Sequence, residues 1–222
     1  MRSGRFIDRV DAGRQLAQRV AALKLDHPIV YALPRGGVPV AAEIAAAINA
    51  PLDLVLVRKI GAPMQPELAV GAIVDGETPE LVINQDIARH TGATQEYIDE
   101  ACARELAEIE RRRTRYLADR PRPDPNGRTV IVVDDGIATG ATAIAALRAL
   151  KKRGAARRIV AVPVSPPDTV ERLEREADEV ICLRQPLEFW GISAFYVDFH
   201  QLEDEEVTRA LEAAAARLVG KA

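Results

Sequence analysis

The sequence predicts an α/β fold built on a doubly wound parallel sheet, and three observations support that prediction. Short, mostly apolar runs that are rich in β-branched residues recur along the 222-residue chain, as expected of strands buried on both faces. Segments of helical character separate these runs, so successive strands are joined by right-handed crossovers. Unusual turns follow three of the runs, and ligands of open parallel sheets bind beyond the carboxyl ends of the strands.

The elements of this core alternate in chain order. Strands are predicted at residues 29–33, 52–57, 130–133 and 159–163, with a weaker fifth at 180–183. Helices are predicted between them at residues 38–50, 141–153 and 166–177. Together they predict a single domain over residues 1–222, with helices packed on both faces of the sheet.

Residues 70–128 interrupt the alternation. The run AVGAIVDG followed by PELVIN predicts an antiparallel hairpin that turns at residues 75–76. Residues 94–117 carry one apolar stripe, which predicts a long amphipathic helix. Three consecutive arginines at 111–113 are compatible with nucleic-acid binding, but we interpret them as a solvated helix face.

Composition narrows the class of protein. The chain is 48% apolar with a formal net charge of −3, so it can bury a core and is not suited to coating nucleic acid. Cys102 and Cys182 lie far apart, outside any metal-type spacing, which indicates a reducing compartment. The first residues contain no unbroken apolar stretch of the kind that a signal peptide or a membrane anchor has. We therefore expect a cytoplasmic protein that binds neither nucleic acid nor membranes.

The stretch VVDDGIATGATA at residues 132–143 places two acids, Asp134 and Asp135, directly after a predicted strand. The small residues behind them expose backbone N–H groups at a helix start, which forms a cradle for phosphate, and Thr139 and Thr142 add hydroxyl groups. The carboxylates suit a sugar diol or hydrated Mg²⁺. A helix cap would explain one acid but not two. The stretch predicts a ligand with a ribose and a terminal phosphate.

The longer run VIVVDDGIATGAT resembles the 5-phosphoribosyl-1-pyrophosphate (PRPP) signature of type I phosphoribosyltransferases. The resemblance implies that Asp134 and Asp135 hold the ribose diol and Mg²⁺. It also implies that the following turn holds the 5-phosphate. The residues of that turn are Ile137, Ala138, Thr139, Gly140, Ala141 and Thr142.

A second turn, LPRGG, follows the first predicted strand. Type I enzymes bind pyrophosphate in a short loop at this place, and adenine phosphoribosyltransferases carry a similar Arg-Gly pair. Arg35 offers a charge, and Gly36 and Gly37 offer unhindered amides. A glycine turn with a surface arginine is the alternative.

The third turn, beginning VRKIGAPMQPE, follows the predicted strand at 52–57. Arg58 and Lys59 resemble the Arg-Lys pair that opens the mobile catalytic loop of adenine and orotate enzymes, where cations would counter charge on the departing pyrophosphate. A glycine and two prolines nearby predict a flap without regular structure. Two ordinary surface cations are the alternative.

Two positions bear on the acceptor chemistry. Ala138 stands where 6-oxopurine enzymes carry an aspartate, so the chain does not resemble a hypoxanthine–guanine enzyme. Glu67 lies in the region of the mobile loop and is the candidate general acid or base, with a surface glutamate as the alternative. The insertion resembles a bacterial group of phosphoribosyltransferase-like proteins whose substrates are unassigned.

Acceptor choice is expected to come from a small hood formed by residues 1–28, with a helix at 8–24, and by residues 184–200. Trp190 and Phe195 in the second segment are candidates for stacking on a base, and filling a core is the equal alternative. The same segment holds most of the phenylalanines.

These expectations combine into a Mg²⁺-dependent phosphoribosyltransferase that moves the 5-phosphoribosyl group of PRPP to a nitrogenous base or related small-molecule acceptor. Lys59, Glu67, Asp134 and Asp135 are the candidate catalytic residues, and a homodimer is expected. One alternative is a non-catalytic PRPP- or nucleotide-binding regulator, although the sequence has no helix-turn-helix pattern. Another is a metal-dependent phosphohydrolase, which leaves the glycine–threonine cradle unexplained.

Overall fold

The structure is a computed structural model that describes residues 4–76, 79–117, 120 and 122–219. Its strands are β1 (Ile29–Ala32), β2 (Leu52–Leu54), β3 (Val57–Ala62), β4 (Gln65–Val74), β5 (Glu80–Ile83), β6 (Thr129–Val133), β7 (Arg157–Val164) and β8 (Glu179–Arg184). Its α-helices are α1 (Arg9–Ala21), α2 (Gly37–Ile48), α3 (Gln85–Thr91), α4 (Gln95–Leu117), α5 (Ala141–Lys152), α6 (Pro167–Glu174) and α7 (Asp204–Val219).

The predicted parallel sheet is confirmed, with the strand order β2-β1-β6-β7-β8. Successive residues of β1 point to opposite faces, and each face has its own core. Val30 and Ala32 pack in a cluster with α1 and α2, while Ile29 and Tyr31 pack in a cluster with α5. Burial on both faces explains why the strand is an unbroken apolar run.

A separate antiparallel sheet, β3-β4-β5, forms the insertion together with α3 and α4, so the insertion begins at Val57 and not at residue 70 as predicted. The predicted hairpin is the β4–β5 pair, in which Val74 lies opposite Glu80. The prediction of a flap without regular structure is wrong, because residues 57–62 and 65–74 form a β-ladder. A Cβ on Gly61 would stand 2.5 Å from the carbonyl oxygen of Pro66, so here glycine permits close strand approach.

Pro66 is tolerated within β4 because the ladder is irregular at this place. Gly61 pairs with Ala69 and Ala62 pairs with Gln65, so the residues between Gln65 and Ala69 form a bulge. A bulge is one of the few places where a strand accommodates proline, since no ladder hydrogen bond is needed there.

The sequence analysis missed helices α3 and α7. Asn84 caps the start of α3, where its side chain accepts hydrogen bonds from two first-turn amides, and Gly92 caps its end in the left-handed conformation. Helix α7 carries three acids in its first turn, which its dipole favours. It packs against α2 and α4 behind the sheet. No helix in the described part of the chain is long and apolar enough to cross a membrane.

Candidate functional site

The turns that follow β1 and β6 pack against each other at the carboxyl edge of the sheet. The two strands are neighbours, with Ala32 opposite Val133. The N–H of Leu33 donates to the carbonyl oxygen of Val133 at 2.9 Å, which continues the pairing into the turns. A Cβ on Gly37 would lie 2.5 Å from that same oxygen. Two of the three segments singled out in the sequence therefore form one surface.

The acid pair lies at the centre of this surface. Asp134 is half-buried, and its Oδ1 accepts a hydrogen bond from the N–H of Asp135 at 2.9 Å. Burial raises the pKa of Asp134 well above its usual range, and the neighbouring carboxylate raises it further. Burial also raises the pKa of Asp135, although Arg9 opposes that change. Two acids held close together away from water favour binding of a cation or of hydroxyl donors.

Arg9, on α1, is a site residue that the sequence analysis did not single out. Its Nε donates to Asp135 Oδ2 at 2.7 Å, and both side chains are 9% exposed. Its Nη1 donates to the carbonyl oxygen of His200 at 2.9 Å, and its guanidinium lies over the ring of Phe199. Arg9 and Asp135 are 126 positions apart, so no local pattern could have indicated the pair.

The second hood segment also reaches the acid pair. The hydroxyl of Tyr196 donates to the carbonyl oxygen of Asp135 at 2.5 Å. A Cβ on Gly136 would lie 2.5 Å from Ile192, so the 3-10 turn Ile192–Phe195 rests on the chain just after the acids. Phe6 packs with Tyr196, which joins the two hood segments.

The predicted phosphate turn leads into α5. Gly140 precedes the helix with φ +78°, a conformation that favours glycine. Thr139, Ala141 and Thr142 are exposed, and Ala138 lies beside them at the surface end of the turn. The first amides of α5 have no partner within the helix and suit an anion.

Ile137 differs from its neighbours in this turn, and its position argues against the predicted contact with the phosphate. Its side chain is buried in the core, and its N–H donates to the carbonyl oxygen of Val164 at 3.0 Å. An amide already paired with β7 is not available to an anion. Ile137 therefore anchors the turn, and the exposed residues after it are the ones that an anion could reach.

The turn of residues 33–37 after β1 contains a cis peptide bond between Pro34 and Arg35. The guanidinium of Arg35 is partly exposed and lies 3.7 Å from Asp204, the first residue of α7. The N–H of Gly37 donates to the carbonyl oxygen of Leu33, so this amide is also committed to the protein. Arg35 and Gly36 remain as the groups of this turn that could face a diphosphate.

The structure separates the predicted cation pair on β3. Arg58 Nε lies 2.5 Å from Glu105 of α4, and Ile60 on the same face packs against α4. Because neighbouring strand residues point to opposite faces, the exposed Lys59 faces away from α4. The two cations therefore do not present one joint surface. Glu67 lies in β4, and its side chain is outside the part of the chain that the structure describes.

The two aromatic candidates have different surroundings. Trp190 is 88% exposed. Phe195 packs on the cluster around Phe6 and stacks on Phe189 with ring centroids 5.6 Å apart. Phe195 therefore has a packing role, whereas the face of Trp190 is open to a ligand.

The acid pair offers a donor set for Mg²⁺. Within residues 4–76, 79–117, 120 and 122–219, no three side chains of histidine, cysteine, aspartate or glutamate converge on one point. Asp134 and Asp135 supply two hard oxygen-bearing groups, and one oxygen of Asp135 is committed to Arg9. Such a set fits Mg²⁺ that completes its shell with substrate oxygens and water.

The arginine run of α4 pairs with acids of its own helix. Arg111 and Arg112 contact Glu108 at 2.8 and 2.7 Å, and Arg113 contacts Glu110 at 3.3 Å. The Glu108 pKa is lowered to about 2, mainly by the hydrogen bond from Arg111. These contacts support the interpretation of a solvated, ion-paired helix face.

Comparisons with known proteins agree with this geometry. The family model described as a phosphoribosyl transferase domain matches residues 8–200. The crystal structure of TT1426 from Thermus thermophilus is 45% identical, covers 93% of this chain and 97% of that one, and superposes with a TM-score of 0.82.

Two relatives are informative at the level of sequence. A Mycobacterium tuberculosis (strain H37Rv) protein provisionally named a phosphoribosyl transferase is 47% identical over 209 residues, which are 94% of this chain and 47% of the relative. The chain thus spans about half the length of that relative. A hypoxanthine/guanine phosphoribosyltransferase from Ferroglobus placidus is 27% identical over 71% of this chain and 62% of its own length.

Proposed function

The chain belongs to the phosphoribosyl transferase domain family, and on that premise we propose that it transfers the 5-phosphoribosyl group of PRPP to a nitrogenous base or related acceptor. The observation that carries the proposal is the contact between the two turns at the carboxyl edge of the sheet. Gly36 lies directly against the carboxylate of Asp135. A diphosphate group and a ribose joined through one carbon need such adjacent surfaces.

Each part of PRPP has a proposed place. The 5-phosphate lies on the exposed residues before and within the first turn of α5, where the helix amides and the hydroxyls of Thr139 and Thr142 are available. The ribose diol faces Asp134. The diphosphate faces Arg35 and the Gly36 backbone, and Arg35 exchanges its 3.7 Å contact with Asp204 for the ligand.

In the proposed reaction, an acceptor nitrogen forms a bond to C1 of the ribose while the C1–oxygen bond to pyrophosphate breaks. Pyrophosphate leaves with the bonding electron pair, and the proton on the acceptor nitrogen passes to a general base. The cations of the site stabilise the charge on the leaving group. Asp134 and Asp135 are the residues that would hold Mg²⁺, which would supply positive charge to neutralise part of the charge on the leaving group. The hood excludes water around C1.

A non-catalytic PRPP-binding protein is the second candidate, and the position of Arg58 favours it. Arg58 is paired with Glu105, and the two cations of β3 point to opposite faces. A protein that only binds PRPP does not need a cation placed to stabilise the charge on a departing pyrophosphate. The two candidates therefore differ in turnover and agree in binding.

The test combines binding with turnover. PRPP–Mg²⁺ binding is measured by calorimetry. The protein is then incubated with PRPP, Mg²⁺ and a panel of purine and pyrimidine bases, and released pyrophosphate is measured. Hypoxanthine and guanine belong in the panel because of the Ferroglobus placidus relative, although Ala138 favours other acceptors. Release that depends on one base supports the transferase. PRPP binding without release on any base supports the second candidate, and absence of both contradicts the proposal.

A further inference from the structure

Arg9 reaches the acid pair from α1, although it lies 126 positions away from Asp135 in the sequence. It begins α1, is almost wholly buried, and uses two sides of its guanidinium for separate partners. Nε contacts Asp135, and Nη1 contacts the carbonyl oxygen of His200. A surface ion pair has neither this burial nor a second fixed partner. The planar fork of arginine suits such divided contacts, whereas a lysine ammonium does not reproduce them.

Asp135 is enclosed on several sides. Arg9 holds its Oδ2, Gly36 lies against the same oxygen, and Tyr196 donates to its carbonyl oxygen. Its backbone N–H in turn donates to Oδ1 of Asp134. The orientation of Asp134 therefore depends on the placement of Asp135.

We propose that Arg9 is a positioning residue for PRPP binding, which fixes Asp135 so that Asp134 is the acid presented to the ribose diol. This inference rests on the proposed function. It divides the acid pair into a ligand-facing member, Asp134, and a supporting member, Asp135. It also makes binding depend on α1, since helix, acid pair and diphosphate turn meet at one carboxylate.

The test is a double-mutant cycle read out as PRPP–Mg²⁺ affinity by calorimetry, which needs no acceptor. Arg9→Met and Asp135→Asn are each expected to weaken PRPP binding about 10- to 100-fold, as loss of a partner that orients a ligand-contacting group does. The double variant is expected to be no weaker than the poorer single variant, because both changes remove one interaction. Affinity for inorganic phosphate, which rests on the α5 turn, is expected to stay within about twofold.

Controls separate positioning from general stability. Arg14→Met removes an exposed α1 arginine that pairs with Glu43 at 3.2 Å, and it is expected to leave PRPP affinity unchanged. Arg9→Lys keeps the charge and loses the fork, so it is expected to recover only part of the affinity. If Arg9→Met does not fold, Arg9→Lys and Arg9→Lys/Asp135→Asn complete the cycle.

The outcomes distinguish this inference from the proposed function. Wild-type protein that does not bind PRPP contradicts the proposed function, and this inference with it. Wild-type binding with additive losses in the cycle contradicts this inference alone, as does an equal loss of phosphate and PRPP affinity. Wild-type affinity in Arg9→Lys also overturns it, because charge alone would then suffice.

Discussion

Gly36 and Asp135 are in direct contact, and a Cβ on Gly36 would overlap the Oδ2 atom of that carboxylate. Asp135 cannot move away cheaply, because Arg9 holds the same oxygen. We therefore expect Gly36→Ala to weaken PRPP binding at least tenfold and to lower the free energy of unfolding by about 1–3 kcal/mol. Gly4→Ala, at a site with open space around it, is the matched control.

Calorimetry and chemical denaturation check this prediction. Gly36→Ala with wild-type PRPP affinity would show that the contact between the two turns is not part of the binding surface.

The pH dependence of stability follows from Asp134. Burial and Asp135 raise its pKa in the folded protein, so between the unfolded pKa of about 3.9 and the folded pKa the folded state binds more protons. The contribution of Asp134 therefore makes the ligand-free protein less stable as the pH rises through that window. We expect Asp134→Asn to raise the free energy of unfolding at pH 7 by about 1 kcal/mol.

Urea denaturation at several pH values measures this effect. The stability gain of Asp134→Asn should shrink as the pH falls towards the unfolded pKa of about 3.9. A gain that is constant with pH, or a loss at neutral pH, contradicts the assignment of a raised pKa.

A buried ion network joins β2 to the insertion through Arg122. Its guanidinium lies 3.3 Å from Asp53 and 2.9 Å from Asp75, and both carboxylates are almost wholly buried. Burial raises the pKa of Asp53, and Arg122 opposes that change. Arg122→Met leaves two buried acids without this partner, so we expect a loss of about 3 kcal/mol in the free energy of unfolding.

The control for this change is Arg104→Met, since Arg104 is 62% exposed and lies 4.0 Å from Glu100. It is expected to cost less than about 0.5 kcal/mol. Equal losses in the two variants would mean that the buried network adds nothing beyond a surface pair.

The effect of replacing Lys59 distinguishes an enzyme from a protein that only binds PRPP. If pyrophosphate departs near Lys59, Lys59→Ala should lower the single-turnover rate about 10²- to 10³-fold with a much smaller change in PRPP Kd. Arg58→Ala is the neighbouring control on the other face of β3, and its pairing with Glu105 predicts a smaller effect on the rate. A Lys59→Ala variant with an unchanged rate and weaker binding removes Lys59 from the chemistry.

The sheet and the glycine turn before α5 were predictable because local signals determine them. Strands such as β6 are buried on both faces, so their residues form short β-branched runs. Gly140 has a left-handed conformation, which favours glycine at that position, and the two acids directly follow the end of a strand. Both features can therefore be recognised from the local sequence. The parallel arrangement of the strands follows from that alternating pattern.

The rest depends on partners distant in sequence. Gly61 and Pro66 favour a loop when considered alone, yet each fits a ladder because of what lies opposite it: the bulge accepts the proline, and the glycine permits its close approach. Arg9 is one of several arginines in a helix, and only the closed fold brings it to Asp135. Orientation of Arg58 and Lys59 likewise depends on α4 packing on one face of β3.

The central claim is that the turns after β1 and β6 form one PRPP site in which Asp134 faces the ribose. Calorimetric titration of wild type and Asp134→Asn with PRPP–Mg²⁺, and separately with inorganic phosphate, tests it most directly. We predict saturable PRPP binding by wild type that Asp134→Asn weakens by at least tenfold, with phosphate affinity within about twofold; at a hundredfold excess over Kd, PRPP should add about 2.7 kcal/mol to wild-type stability. No PRPP binding at millimolar concentration, or an equal fall in PRPP and phosphate affinity, would contradict the account.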